Sequence, residues 1–313
     1  MRVVFMGTPE FAVPSLRALI EMGEEVVGVF TQPDRPVGRG KKIEKSPVKL
    51  AAEENGIPVF QFERVRKQEG LDAMRSLAPD VVVTAAFGQI LSKKLLEVPR
   101  LGTINVHASI LPKHRGSAPI NWGIIMGDET AGVTTMLTDV GLDTGDMLLK
   151  REVRILENET AGELTNRLSV IGAELLKETL SLYAKGEITP VKQNEDEMTY
   201  EPMLTKETGL IDWNKTSKEI ACLVRGVNPW PGAYTQISGG VLKIWMAKAA
   251  DEETDEAPGT VIRASAKEGL YVACGNKTVI EIIEMQAPNA KRMAAKAYLM
   301  GKKIEIGTRF GEA

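Results

Sequence analysis

Hydrophobic and polar positions alternate along the first 140 residues in two rhythms. VVFMG (3–7), EVVGVFT (25–31), PVF (58–60) and DVVVTAAFG (80–88) read as strands, the last apolar enough to be buried on both faces. Helical spacing fills the gaps from about Pro9 to Met22, ending at Gly23, from about Pro47 to Asn55, closed by Gly56, and around 67–77. TINVHAS (103–109) is the next strand and SAPINWGIIMG (117–127) the next helix, with Pro119 tolerated in its first turn. GVTTMLTD (132–139), a strand near 147–155 and a long helix from about Thr160 to Lys185 continue the pattern. Such alternation predicts an α/β fold with a doubly wound, mostly parallel, Rossmann-like sheet.

The rhythm stops after Gly186. Residues 188–203 have no periodicity, mixed charge and two prolines, and read as a linker. One helix at about 216–226 then precedes the β-patterned runs VLKIWMA (241–247), GTVIRAS (259–265), GLYVACG (269–275) and TVIEIIEMQ (278–286). Glycine, proline and asparagine turns separate them, as in a small β-barrel or sandwich. The expected organisation is a domain over 1–187, a linker over 188–204 and a smaller β domain over 205–313.

Composition narrows the function classes. Two cysteines in 313 residues, Cys222 and Cys274, argue against a disulfide scaffold or a cysteine-based zinc site and suit a reducing compartment. The apolar run of MRVVFMGTPEF is too short for a signal peptide and no other run approaches a membrane span, so a cytoplasmic protein is expected. A net charge of −3 excludes a uniformly basic surface. It is unevenly spread, however. Residues 32–49 carry Arg35, Arg39, Lys41, Lys42, Lys45 and Lys49 against Asp34 and Glu44, in a stretch that also holds Pro33, Pro36, Gly38 and Gly40. That is an exposed basic loop, able to clamp a polyanion if it lies beside an active site. The acidic run DEETDE (251–256) reads as a solvated loop. GTPEFAVPSL (7–16) has one glycine where a dinucleotide fingerprint needs three, which disfavours a dehydrogenase.

Both histidines of the chain, His107 and His114, fall within NVHASILPKHRGSAPINW (105–122). Period-two alternation puts Thr103, Asn105, His107 and Ser109 on one strand face, with neighbouring side chains roughly 6.5 Å apart along it. An amide and an imidazole so spaced can converge on one ligand atom, and a polar face inside a buried sheet is costly unless it has partners or a function. The carboxylates of TDVGLDTGD (138–146), which are Asp139, Asp143 and Asp146, can supply a third group. This loop follows a strand and is expected at the carboxyl edge, where open α/β sheets bind ligands. Spacing does not choose among the three aspartates. It does oppose a calcium loop and a zinc site on the two histidines, and no metal is expected. A Ser109–His107–Asp143 triad stays open, without the usual nucleophile elbow to support it.

The H-x-S-x-L-P-x-x-R-G element, followed about thirty residues later by DVGLDTGD, resembles the folate-dependent formyltransferases. The likeness runs through GTPEFAVPSL, TQPDRPVGRGKK, SPVK, IDWNKTSKEI and NPWPGAY. It implies 10-formyltetrahydrofolate as formyl donor, Asn105, His107 and Asp143 as the catalytic trio, and Ser109, Ile110, Leu111 and Pro112 as the folate-binding segment, with Ile110 in place of the family's leucine. The basic loop and the NPWP segment resemble members that act on initiator Met-tRNA. The likeness therefore implies a tRNA partner whose acceptor end is engaged by Arg39, with a second domain of oligonucleotide-binding type. The charge of the loop extends the expected phosphate contacts to Arg35, Lys41, Lys42 and Lys45. A monomer is expected. In that chemistry Asn105 and His107 donate hydrogen bonds to the formyl oxygen. Asp143 acts as base, which asks for partial burial and a raised pKa, or it sets the state of His107. His114 is expected to be a bystander or a residue of the shell around the site.

Overall fold

The computed structural model describes residues 1–37 and 42–311, with only the backbone at Val37 and Lys42. Arg39 and Lys41 therefore lie outside the described residues. In chain order the elements begin with β1 (Arg2–Gly7), α1 (Val13–Glu21), β2 (Glu25–Thr31), β3 (Arg35–Val37), β4 (Lys42–Glu44), α2 (Pro47–Glu54), β5 (Val59–Gln61), α3 (Gln68–Leu77) and β6 (Val81–Ala85). Then follow α4 (Lys93–Leu96), β7 (Thr103–His107), β8 (Arg115–Gly116), α5 (Pro119–Met126), β9 (Thr130–Leu137), β10 (Met147–Arg154), α6 (Ala161–Tyr183) and β11 (Tyr200–Glu201). The remainder comprises α7 (Ser217–Gly226), β12 (Ala233–Ile237), β13 (Gly240–Glu253), β14 (Val261–Ser265), β15 (Gly269–Ala273), β16 (Thr278–Gln286), β17 (Met293–Ala294) and α8 (Ala295–Gly301).

Two units are formed. The first is Met1–Pro119, Ala131–Val153 and Thr165–Glu201; the second is Ile120–Thr130, Arg154–Leu164 and Pro202–Ala313. The first holds a seven-stranded sheet in the order β10-β9-β7-β6-β1-β2-β5. From β1 the chain winds outward in both directions, so the order reverses between β1 and β6. At that point Thr8 Oγ1 donates to the Phe87 carbonyl (3.0 Å), and Gln32 Nε2 donates to the Gly88 carbonyl (3.0 Å), tying the loops after β1, β2 and β6 together. The central strands β1 and β6 are buried on both faces, as their unbroken apolar runs require. Val3, Val4, Phe5 and Met6 are wholly inaccessible, and Val4, Met6 and Val82 pack with Phe30, Leu71 and Met74 in one cluster. Each such side chain contributes about 1.5–3 kcal/mol on burial.

One strand breaks the parallel rule. β9 runs antiparallel to β7, pairing Ile104 with Leu137 and His107 with Thr134. The 138–146 loop therefore leaves the sheet beside the amino end of β7, not at the carboxyl edge as expected. The expectation failed because apolar alternation fixes the existence of a strand but not its direction.

The stretch read as a linker has structure of its own in the first unit. β11 pairs parallel to β8, Tyr200 opposite Arg115 and Glu201 opposite Gly116. The second unit is an antiparallel, barrel-like sheet, β12-β13-β16-β15-β14, with β17 on β16. Its core gathers Trp213, Ile220, Val224, Ile244, Val272, Ile280 and Phe310. α7 is held at its start by a reciprocal cap between Thr216 and Glu219. Among the described residues no helix is long and apolar enough to cross a membrane.

Candidate active site

β7 delivers the polar face. Parallel pairing places Thr84 of β6 opposite Asn105, and the Thr84 hydroxyl donates to Asn105 Oδ1 at 2.9 Å. With its oxygen so occupied, Asn105 presents its Nδ2 hydrogens as donors, and among the described residues nothing accepts them. His107, the last strand residue, is buried. Its Nε2 lies 3.0 Å from the carbonyl of His114. A carbonyl only accepts, so Nε2 carries the hydrogen in that bond, and Nδ1 is left for other work. Nδ1 stands 3.7 Å from Asp143 Oδ1.

Asp143 reaches this position because its loop folds back after leaving β9. Its other oxygen, Oδ2, accepts the backbone N–H of Gly116 at 2.9 Å. The carboxylate is partly buried, with 15% of the side chain accessible. Asp143 itself is left-handed, at φ 54°. Asp139 serves the turn instead. Its Oδ1 accepts from Gly141 N (3.0 Å) and Thr144 Oγ1 (2.6 Å) and so closes it. The structure thus sets Asp143 beside His107 and gives Asp139 to the turn, with Asn105 two residues before His107 on β7.

Ser109 is not on the strand face that alternation gave it, because β7 ends at His107. Its hydroxyl donates to the Lys113 carbonyl (2.7 Å), closing the turn that contains Ile110, Leu111 and Pro112. That bond takes Ser109 away from His107, and the triad arrangement is not formed. Thr134 pins the same turn, donating to the Ser109 carbonyl (2.7 Å) and accepting from Leu111 N (3.1 Å). Lys150 donates to the Leu111 carbonyl, and burial lowers the pKa of its ammonium. Leu111 and Pro112 are buried, Leu111 against Met136 and Met147, and Ile110 is half-buried, so the turn that follows His107 is firmly anchored.

His114 is more than a bystander. Its imidazole Nδ1 is 2.9 Å from Glu201 Oε1, and Glu201 is only 2% exposed. Thr199 Oγ1 donates to that same carboxylate oxygen at 3.1 Å. Arg115, also buried, donates from Nε to Gln193 Oε1 (3.0 Å) and grips Glu195 with both terminal nitrogens (3.0 and 2.8 Å). This guanidinium holds the Glu195 carboxyl below the usual range. Sequence reading missed Gln193, Glu195 and Glu201, since no periodicity marks polar residues that a coil, a single 3-10 turn or a two-residue strand carries into such contacts.

The basic loop is a small hairpin. β3 and β4 pair antiparallel, Arg35 opposite Glu44. Its root is fastened by Lys49, which donates to Asp34 Oδ2 (2.6 Å) and Gln61 Oε1 (2.8 Å). Bonds from Lys49 and Gln61 keep the Asp34 carboxyl below its ordinary value. Arg35 and Lys45 are exposed and make surface pairs, with Glu63 (3.0 Å) and Glu53 (2.7 Å). Such pairs are weak enough to be exchanged for phosphate contacts. The described residues contain no group of histidine, cysteine and carboxylate side chains able to hold a metal.

Residues 1–180 match the family described as "Formyl transferase", and residues 203–303 match "Formyl transferase, C-terminal domain". A protein named methionyl-tRNA formyltransferase from Clostridioides difficile is 52% identical over 311 residues, covering 99% of this chain and 100% of that one. The protein of the same name from Geobacter sulfurreducens is 49% identical, covering 100% and 98%. The structure of an N-formyltransferase from Helicobacter canadensis, in complex with folinic acid and dTDP-3-aminofucose, superposes with a TM-score of 0.68 at 20% identity, covering 94% and 100%. A 4-N formyltransferase from Francisella tularensis gives a TM-score of 0.62 at 19% identity, covering 78% and 96%. These two share the fold. With a family match over more than half its length and relatives near 50% identity from end to end, the chain belongs to the formyl transferase family, among the methionyl-tRNA formyltransferases.

Proposed function

We propose that the protein transfers the formyl group of 10-formyltetrahydrofolate to the α-amine of methionine on initiator Met-tRNA. The observation that carries this reading is the pairing of His107 with Asp143, next to the Ser109–Pro112 turn and on the strand that also bears Asn105, in a chain so similar to enzymes of that name. The methionyl amine attacks the formyl carbon, the bond from that carbon to N10 breaks, and a proton lost by the amine ends on N10. Charge develops meanwhile on the formyl oxygen. Asn105 Nδ2, held by Thr84 through its carbonyl, is the ready donor to that oxygen. His107 works through Nδ1, since Nε2 is engaged by His114. Bearing a hydrogen, Nδ1 donates to the oxygen; without one, it takes up a proton. Asp143 lies where it can accept the amine proton directly, through water, or by way of His107.

The Ser109–Pro112 turn meets the folate ring system through its backbone and the half-buried Ile110, and Ser109 shapes it. Arg35, Lys45 and the neighbouring Arg39, Lys41 and Lys42 meet phosphates of the acceptor arm, with the barrel-like unit as a second contact. The reaction belongs to the cytoplasm and needs only one copy of the chain. The test is to incubate the protein with 10-formyltetrahydrofolate and each of three acceptors: initiator Met-tRNA, an amino-sugar nucleotide and water alone. Formylmethionyl-tRNA as the main product is expected. Formyl-sugar, or free formate with no formylmethionine, would overturn the assignment.

A further inference from the structure

Gln193 is buried, yet it lies in a coil and touches none of the reacting groups through its own carboxamide. It is instead fully engaged with the turn that carries Asp143. Its Nε2 donates to the carbonyl of Asp143 (2.7 Å) and to that of Gly145 (2.8 Å), while Oε1 accepts from Arg115 (3.0 Å). Those two carbonyls bracket a turn in which Asp143 is left-handed, a conformation unfavourable for a residue with a side chain. The neighbours of Arg115 address the other active groups. The His114 carbonyl meets His107 Nε2, and the Gly116 N–H meets Asp143 Oδ2.

We infer that Gln193 is a positioning residue for formyl transfer: through the carbonyls of Asp143 and Gly145 it holds the Asp143 carboxylate in register with His107 and Gly116. Arg115 is its anchor. A guanidinium only donates, so Oε1 of the amide must face Arg115 and Nε2 must face the turn. An amide is needed here. A glutamate of the same shape has no donor when ionised and sets a carboxylate against two carbonyls. A methionine fills the space and bonds to neither.

The inference rests on the formyl transfer reading, and the measurement separates the two. Formylation of Met-tRNA is followed for the full-length protein, Gln193→Met, Gln193→Glu, Asp143→Ala and the Asp143→Ala/Gln193→Met double variant, with folded fraction measured by thermal melting. Displacement of a reacting group by about 1 Å costs on the order of 100-fold in rate. Both Gln193 variants should therefore lose roughly 10- to 100-fold in kcat per folded molecule, with KM for Met-tRNA within about twofold. The double variant should be no slower than Asp143→Ala, because Gln193 acts through Asp143. Unchanged kcat per folded molecule, or losses that multiply in the double variant, would overturn the role of Gln193. Absence of formylmethionyl-tRNA with the unsubstituted protein would overturn the underlying reaction instead.

Discussion

Asn105 and His107 stand two residues apart on one strand, but they are held by different neighbours and from different directions. Thr84 fixes the amide from β6, and the His114 carbonyl fixes the imidazole from the turn beyond the strand. The pair was legible in the sequence, because period-two alternation places both on one face. Which nitrogen of His107 remains for chemistry was not, since that depends on a carbonyl seven residues on. The two histidines have separable roles. His107→Asn should abolish turnover in folded protein. His114→Asn keeps the backbone carbonyl and suits the left-handed conformation found there, at φ 56°. It removes the imidazole partner of buried Glu201, so it should lower stability by about 1–3 kcal/mol while kcat per folded molecule changes only a few-fold. Melting curves beside single-turnover rates for the two variants check this division; the reverse pattern would exchange the roles.

At the scale of elements, the loop between β9 and β10 decides whether a third group reaches the site. Its bend is possible because Gly145 lies against the backbone: a Cβ there would come within 1.7 Å of the Leu137 carbonyl oxygen. Gly145→Ala should therefore displace the turn. Its expected signature is a loss of about 10-fold or more in kcat with the melting temperature of the protein only modestly lowered. Wild-type kcat in that variant would mean the turn tolerates a shift and Asp143 does not depend on it. The path of this loop's return was not legible in the sequence, because the antiparallel direction of β9 is set by pairing with β7. The 193–201 segment was illegible for a related reason. Gln193, Thr199 and Glu201 are polar residues in coil or in a two-residue strand, and their places come from contacts far along the chain with residues 114–116 and 143–145. Most helices and β-runs, whose periodicity is local, were read within a few residues. However, β13 continues to Glu253 and takes up the start of the acidic run 251–256 that was expected to be a loop. The elements α4, α8 and β12 and the short strands β3, β4, β8, β11 and β17 were too short or too polar to register.

At the scale of the whole molecule, a chain of net charge −3 must bind a polyanion with a local concentration of cations. The hairpin of β3 and β4 provides Arg35 and Lys45 in the open, on a root made rigid by Lys49, Asp34 and Gln61. Arg39 and Lys41 belong to the same sequence cluster. Replacing Arg39 and Lys41 by alanine should weaken Met-tRNA binding and flatten its dependence on log salt by about 0.7–0.9 per phosphate contact removed. An unchanged slope would place the contacts elsewhere, such as on the barrel-like unit. The chemistry itself is tested most directly by the single-turnover rate of Met-tRNA formylation for Asp143→Asn against the unsubstituted protein, with both substrates saturating. A proton-transfer group contributes about 10²–10⁴-fold, so the variant should fall by at least about 100-fold while still binding tRNA. An Asp143→Asn protein that formylates Met-tRNA at the unsubstituted rate would contradict the assignment of Asn105, His107 and Asp143 as the catalytic group.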